Sequence, residues 1–149
     1  MKNSQILVFI LISILGSMAI ACVPGSQDKS ANSVKFQQYY VEGEGLYKLH
    51  CSNCHQNDGS GLGKLYPPLA KSDFLEKDLA EIVCLIKYGR SGEVWVNGVM
   101  YNQPMKGTPA LTELEIAEIT TYIYNSWGNV HDIVEVTEVA ALLPTCNNR

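Results

Sequence analysis

The amino-acid sequence predicts a mainly helical fold, and two stretches carry the clearest pattern. The middle of the chain has apolar residues at helical spacing, which are Leu79, Ile82, Val83 and Ile86. Gly89 follows them and predicts the end of that helix. Further along, Thr112 and Glu115 have the spacing of a capping box and predict the start of another helix. No internal repeat and no second domain is visible beside these helices, so we expect a single domain.

The helix that begins after Thr112 has one apolar face, formed by Ile116, Ile119 and Ile123. Leu111 precedes the cap and can pack against Ile116 as a hydrophobic staple. Gly128 is expected to end this helix. A short terminal helix is expected to begin at a cap on Thr137 and to end at Pro144.

The most specific motif is Cys51-Ser52-Asn53-Cys54-His55. In a C-x-x-C-H sequence, two thiols on one helical turn can each add to a haem vinyl group, and the following histidine faces the iron. A zinc site would need a second ligand pair, yet Cys22, Cys84 and Cys146 are isolated in the sequence. A thioredoxin-like C-x-x-C would lie in a βαβ pattern. Cys51 and Cys54 are therefore predicted to hold one covalent haem c, with His55 as an axial ligand.

A haem-ligating histidine needs a hydrogen-bond partner for its other ring nitrogen, because that bond sets the tautomer and the ring plane. After His55, a glycine-rich loop leads into Pro67-Pro68-Leu69. Glycine allows close backbone approach to a flat ring, and proline stiffens the loop. We expect the carbonyl of Pro67 to orient His55.

Two methionines are candidates for the second axial ligand. Met105 is favoured because Pro104 and Gly107 flank it in a loop ahead of a helix. Met100 is the alternative, although it lies beside Val99 in a stretch that is also typical of apolar packing.

Together these motifs resemble those of the class I monohaem cytochromes c, over roughly residues 40–143. The positions that carry the resemblance are Gly45, Tyr47, Cys51, Cys54, His55, Pro67, Leu69, Asn97, Gly98, Tyr101, Asn102, Met105 and residues 125–129. The family usually has proline directly after the methionine, whereas Lys106 follows here. The resemblance implies an all-α class I cytochrome c fold, with few helices wrapped around one covalently bound haem and with His55 and Met105 as axial ligands.

The resemblance also implies a crossing of the first and last helices at a glycine and an aromatic residue. The first helix is expected over about residues 41–49, and Gly45 within it is costly for helix propensity. We therefore expect Gly45 to pack against Tyr122. Contacts to the haem propionates are expected from Tyr88, Arg90 and Trp95, although a packed aromatic or a solvated arginine is an equally good interpretation of each.

The implied function is electron transfer without substrate turnover, by a monomer that carries one electron on Fe(III)/Fe(II). Expected partners are a terminal oxidase, a copper nitrite reductase or a quinoprotein dehydrogenase. The alternative is a catalytic or sensing haem protein, such as a peroxidase, which would need an open axial position. The chain has 11 Lys and Arg against 15 Asp and Glu, a net charge of -4, which argues against a nucleic-acid partner.

The N-terminus is interpreted as a secretory signal, since Lys2 precedes the apolar run of residues 6–15 and the small-residue stretch Ala19-Ile20-Ala21-Cys22. That stretch resembles a bacterial lipobox in which Cys22 becomes lipidated. Cleavage that frees a soluble periplasmic protein and retention of the apolar segment remain alternatives. The expected organisation is a signal over residues 1–21, a flexible polar tether over 22–38 and a cytochrome c domain with a short tail over 39–149, tethered to a membrane on its periplasmic side.

Cysteine parity suggests one disulfide. Five cysteines, less two on haem and one on lipid, leave Cys84 and Cys146, and an exported compartment allows them to pair. The alternative is two buried thiols that pack as small apolar groups.

Overall fold

A computed structural model of the chain describes residues 27–148, with side chains described over residues 33–146. The described residues from Asn32 onward belong to one compact unit. The predicted signal segment and Cys22 lie outside the described residues.

The described chain is mainly helical, which confirms the predicted fold class. Its α-helices are α1 Gln27–His50, α2 Ser52–His55, α3 Leu79–Tyr88, α4 Glu113–Tyr124 and α5 Val136–Leu142. Two 3-10 helices span Asp73–Glu76 and Leu143–Asn148. The short strands are β1 Gly89–Arg90, β2 Val94–Val96, β3 Val99–Tyr101 and β4 Met105–Lys106. They form two antiparallel pairs, β1 with β4 and β2 with β3. No helix in the described part of the chain is both long and apolar enough to cross a membrane.

Helix α1 begins earlier than the sequence indicated. The structure differs from the expected flexible tether, since residues from Gln27 onward are helical. Polar composition does not prevent a helix that packs through a few aromatic residues. Tyr39 is buried, Phe36 stacks on Tyr40 with ring centroids 6.0 Å apart, and Lys35 forms an ion pair with Glu135.

The first and last long helices cross at Gly43, so the prediction of Gly45 was wrong. A Cβ on Gly43 would lie 2.1 Å from the carbonyl oxygen of Glu118 and 2.9 Å from the Cβ of Tyr122. A Cβ on Gly45 would meet nothing within 4 Å. Residues i and i+2 of a helix lie about 200° apart around its axis. Gly43 and Gly45 therefore face nearly opposite sides of α1.

An aromatic cluster stabilises this crossing. Its ring centroids lie 5.0 to 5.4 Å apart, and its members are Tyr40, Tyr47, Tyr122 and Trp127. Tilted and edge-on pairs at such distances add to the free energy gained from burial alone. Tyr47 is fully buried, so the cluster joins α1 to α4 and to the turn after α4.

Helices α3 and α4 form where the sequence predicted them. The capping box of α4 is confirmed: the backbone N–H of Thr112 donates to Glu115 at 2.8 Å, and that of Glu115 donates to the Thr112 hydroxyl at 3.3 Å. The helix ends at Tyr124 rather than near Gly128. Asn125 and Ser126 donate side-chain hydrogen bonds to the carbonyls four residues earlier, which satisfies groups left unpaired at a helix end.

The C-terminal segment packs on α3 and α4. Its helix α5 is capped by Glu135, which forms a capping box with Glu138, so the predicted cap at Thr137 was wrong. Its Val139 is fully buried. A disulfide joins Cys84 of α3 to Cys146, with the two Cα atoms 5.4 Å apart.

Candidate functional site

A cavity of about 540 Å³ lies between α2, α3, α4 and the segment that carries Met105. This volume is in the range of ligand pockets, roughly 300–1,000 Å³. The wall is mainly apolar and includes Phe74, Leu75, Ile82, Leu85, Ile86, Leu111, Ile119 and Ile123. Cys51, Cys54, His55 and Met105 also line it. Four groups that the sequence singled out therefore meet at one cavity.

His55 ends the short helix α2 and is buried. Its Nδ1 lies 3.0 Å from the carbonyl oxygen of Pro67. A carbonyl only accepts a hydrogen bond, so Nδ1 carries the proton and the lone pair is on Nε2. Burial lowers the pKa of His55, and the hydrogen bond to Pro67 opposes that shift. The ring is held as a neutral imidazole with Nε2 available as a metal ligand.

Cys51 and Cys54 are half-buried free thiols in the same cavity wall. Burial and the neighbouring Cys54 raise the pKa of Cys51 to about 11. At neutral pH this group is therefore a thiol and not a thiolate.

The loop after His55 is closed by backbone hydrogen bonds. Gly61 donates to the carbonyl of His55 at 3.0 Å, and the carbonyl of Gly59 accepts from Leu69 at 2.8 Å and from Ala70 at 3.0 Å. Gly61 has φ +71°, and a Cβ there would lie 2.3 Å from the carbonyl oxygen of Tyr66. Only glycine fits this position without strain. The loop thus brings the Pro67 carbonyl back to the ring of His55.

Met105 and Met100 lie in different surroundings. Met105 is half-buried in β4, faces Arg90 in the β1–β4 pair and lines the cavity. Met100 lies in β3 opposite Trp95, is 41% exposed and is not among the cavity-lining residues. The geometry favours Met105 as the methionine that can approach a group in the cavity.

Only one of the three residues expected at the propionates lines the cavity. Arg90 does so, and it donates to Glu81 at 2.8 Å and to the carbonyl of Glu93 at 3.4 Å. Tyr88 and Trp95 are 55% and 62% exposed and are absent from the cavity wall. The structure therefore does not bring them to the site.

The two aromatic residues point away for a geometric reason. Successive residues of a strand face opposite sides. In β2, Val94 and Val96 line the cavity, so Trp95 between them faces away. On α3, the cavity face is formed by Ile82, Leu85 and Ile86. Tyr88 lies off this face at the end of the helix.

Two residues support the site in ways that sequence reasoning missed. The hydroxyl of Tyr47 donates to the carbonyl of Gln56, beside His55, at 2.6 Å. Asn129 accepts from the N–H of Lys71 at 2.9 Å and donates to the carbonyls of Leu69 at 2.9 Å and Ile123 at 2.8 Å. Both residues belong to the pattern quoted above, but a pattern does not say which backbone group a side chain reaches.

The residues around the cavity fit a covalently held haem. Two thiols, one oriented imidazole and one thioether surround an apolar space, and each group suits that cofactor chemically. The described residues contain no group of three or more His, Cys, Asp or Glu side chains that could hold a bare metal ion.

The fold and the cavity define a small helical haem protein. The family model described as cytochrome c matches residues 40–127, and the chain belongs to this family. Cytochromes c of this family carry covalent haem c and transfer electrons.

The chain is similar to cytochrome c-552 of Thermus thermophilus, with 30% identity over 97 residues that cover 62% of this chain and 73% of the relative. It is also 30% identical over 93 residues to the cytochrome c subunit of the quinone alcohol dehydrogenase of Gluconacetobacter polyoxogenes. That match covers 60% of this chain but only 19% of the subunit. The corresponding subunit of Gluconobacter oxydans is 24% identical over 98 residues, which cover 58% of this chain and 18% of the subunit.

Proposed function

We propose that this protein is an exported one-electron carrier in which Cys51 and Cys54 bind haem c and His55 and Met105 are the axial ligands. The observation that carries the proposal is the presence of all four side chains in the wall of one cavity.

Each residue has a distinct part in this function. The Pro67 carbonyl holds the ring of His55 so that Nε2 remains a ligand. Haem, once bound, would supply the one-electron redox chemistry. The thioether of Met105 is a soft donor that would favour Fe(II) and would occupy the position that a peroxidase leaves open. The apolar wall excludes water, so it would also favour Fe(II), the less charged state of the haem iron.

The ligand assignment is tested with two methionine variants of the haem-loaded protein. Met105→Ala is expected to abolish the weak near-infrared sulfur–iron band and to lower the reduction potential. Met100→Ala is the matched control and is expected to preserve both, because Met100 is exposed on the β2–β3 pair.

The reverse pattern would assign the ligand to Met100. If neither variant changes the band, or if the wild-type protein lacks it, the iron has an open or different sixth position. The peroxidase-like alternative would then be tested by peroxide turnover.

We also propose that Cys22 is lipidated and holds the carrier at the periplasmic face of a membrane. The support is the sequence Ala19-Ile20-Ala21-Cys22 after an apolar run. Several acyl chains anchor a protein firmly, whereas one binds only marginally. The mature protein should have an intact mass that begins at Cys22 with diacylglyceryl added. A chain that begins at Met1, or an unmodified Cys22, would refute this anchor.

The partner is proposed to be a respiratory or dehydrogenase complex. Similarity to a cytochrome subunit of a quinone alcohol dehydrogenase supports a quinoprotein dehydrogenase, while a terminal oxidase or a copper nitrite reductase would accept the electron. Stopped-flow mixing of the oxidised protein with a substrate-reduced quinoprotein dehydrogenase should give rapid haem reduction that saturates with dehydrogenase concentration. Reduction no faster than with free reduced quinone would refute this donor.

A further inference from the structure

The end of α3 and the segment that carries Met105 are in direct backbone contact. A Cβ on Gly107 would lie 2.3 Å from the carbonyl carbon of Tyr88 and 2.5 Å from the nitrogen of Gly89. A Cβ on Gly89, at φ +78°, would lie 2.3 Å from the carbonyl oxygen of Met105. Real Cβ atoms do not approach backbone so closely, so both positions require glycine.

Hydrogen bonds from the same end of α3 hold the residues that follow. The N–H of Thr108 donates to the carbonyl of Ile86 at 2.9 Å. The ammonium of Lys87 donates to the carbonyls of Pro109 at 2.8 Å and Leu111 at 2.6 Å. Lys87 is half-buried and Leu111 is buried, so losing Lys87 would leave the carbonyl of Leu111 without this donor.

We propose that the C-terminal end of α3 is a clamp that holds Met105 at the iron, with Gly89, Gly107 and Lys87 as its positioning residues. The proposal rests on the assignment of Met105 as axial ligand. Lys106 follows Met105, so no proline ring restricts the backbone there. The backbone contact with α3 restrains the residues around Met105 in place of a proline ring.

The clamp makes a measurable prediction about competition at the iron. Added imidazole can bind only when Met105 has left, so its apparent affinity reports how often the methionine is displaced. A weaker clamp leaves the ligand position open more of the time and therefore raises the apparent affinity for imidazole.

The main experiment titrates haem-loaded variants with imidazole and follows the sulfur–iron band. Gly107→Ala is expected to bind imidazole about ten-fold more tightly than wild type. Gly43→Ala introduces an equally close contact, 2.1 Å, at the crossing of α1 and α4 and should leave the affinity within about two-fold of wild type. Gly45 faces open space, so Gly45→Ala should also leave the imidazole affinity close to that of wild type. Equal increases in the Gly43 and Gly107 variants would overturn the clamp, since global destabilisation would then explain both.

A second pair of variants covers the case in which Gly107→Ala does not mature. Lys87→Met keeps the apolar stem but removes both hydrogen bonds, and it should raise the imidazole affinity several-fold. Lys48→Met is the control, because Lys48 is exposed and its ion pair is with Glu44, one turn away on the same helix. Identical affinities in these two variants would contradict the proposal.

The wild-type protein provides a test without substitution. The amide of Thr108 should exchange with deuterium slowly in the haem-loaded protein, because its partner is the carbonyl of Ile86. Exchange at the rate of an unstructured peptide, while the amides of α4 stay protected, would refute the clamp.

Failure of the clamp and failure of the ligand assignment give different results. If Met105 is not a ligand, Met105→Ala leaves the imidazole affinity unchanged. If only the clamp is wrong, Met105→Ala raises that affinity and Gly107→Ala does not.

Discussion

The two sides of the cavity are built differently. On the histidine side, which we define as residues 51–71, His55 and its supports are close in sequence and joined by a dense set of backbone hydrogen bonds. On the methionine side, residues 89–112, Met105 lies in a two-residue strand with exposed neighbours. The hydrogen bonds from Lys87 of α3 reach this side across 22 and 24 residues of chain.

With His55 and Met105 as the proposed axial ligands, this difference would give the cofactor one permanent and one exchangeable ligand. His55 adjoins Cys54, so the proposed covalent attachment and the Pro67 carbonyl confine it together. Met105 is confined only by packing and hydrogen bonds, and such contacts open at lower free energy than the global unfolding of a domain. We expect the methionine side to open first under heat, denaturant or ligand competition.

The largest effect is expected from removing the attachment itself. Cys51→Ala combined with Cys54→Ala should abolish covalent haem completely, so that no haem stain remains with the protein on a denaturing gel. Cys84→Ser combined with Cys146→Ser is the matched control and should retain the stain, because that pair forms a disulfide away from the attachment motif. Haem that acidified acetone extracts from the wild type would contradict the assignment of both thiols.

Removal of the Cys84–Cys146 disulfide should have the next largest effect, which is on the stability of the fold. The bond closes a loop with a sequence separation of 62, and its removal should lower the free energy of unfolding by about 2–4 kcal/mol. Because α3 supports the methionine side, the sulfur–iron band should disappear at a lower denaturant concentration than helical structure. Simultaneous loss of both signals in wild type and variant would break the proposed contrast between the two sides.

Asn129→Ala removes three hydrogen bonds, two of which hold the histidine side at Leu69 and Lys71. The free energy of unfolding, measured by denaturant titration, should fall by about 2–3 kcal/mol. The sulfur–iron band should be retained in the folded protein. Asn102→Ala, at an exposed position, is the control. A lost band in Asn129→Ala would mean that the two sides are coupled.

The smallest effect is expected at the capping box that ends the methionine side. Thr112→Ala should lower the free energy of unfolding by about 1 kcal/mol.

The Glu115 carboxylate of the same capping box makes a contribution that depends on pH. Hydrogen bonds from Thr112 hold the pKa of Glu115 below its ordinary value. This carboxylate therefore stabilises the protein above the ordinary pKa of a glutamate, and its contribution disappears as the pH falls through the lowered pKa. Denaturant titrations of Glu115→Gln and wild type should differ at neutral pH and converge in acid, and a constant difference would contradict this role.

Sequence reasoning recovered the features whose signal is local. The capping box depends on Thr112 and Glu115 alone, and the stripe of α3 repeats within ten residues. The C-x-x-C-H motif likewise names its cofactor without knowledge of the fold. The structure also brings Pro67 and Met105 to the same cavity as that motif.

Features that depend on distant partners were missed. Gly43 and Gly45 are indistinguishable in sequence, and only the position of Glu118 shows which one lies at the crossing. The side on which Trp95 lies depends on the register of a three-residue strand. The helical start at Gln27 was missed because its polar composition is typical of both a tether and an exposed helix.

The chain has two tryptophans, and the fold assigns one to each side of the cavity. Trp127 packs against Tyr47 and lies over Gly59 of the histidine side, whereas Trp95 is exposed on the hairpin of the methionine side. Indole emission depends on hydration and on energy transfer to a nearby haem. Replacing one tryptophan at a time with phenylalanine would therefore give each side its own fluorescence signal, and the order in which the two sides separate from the haem would be visible within a single unfolding transition.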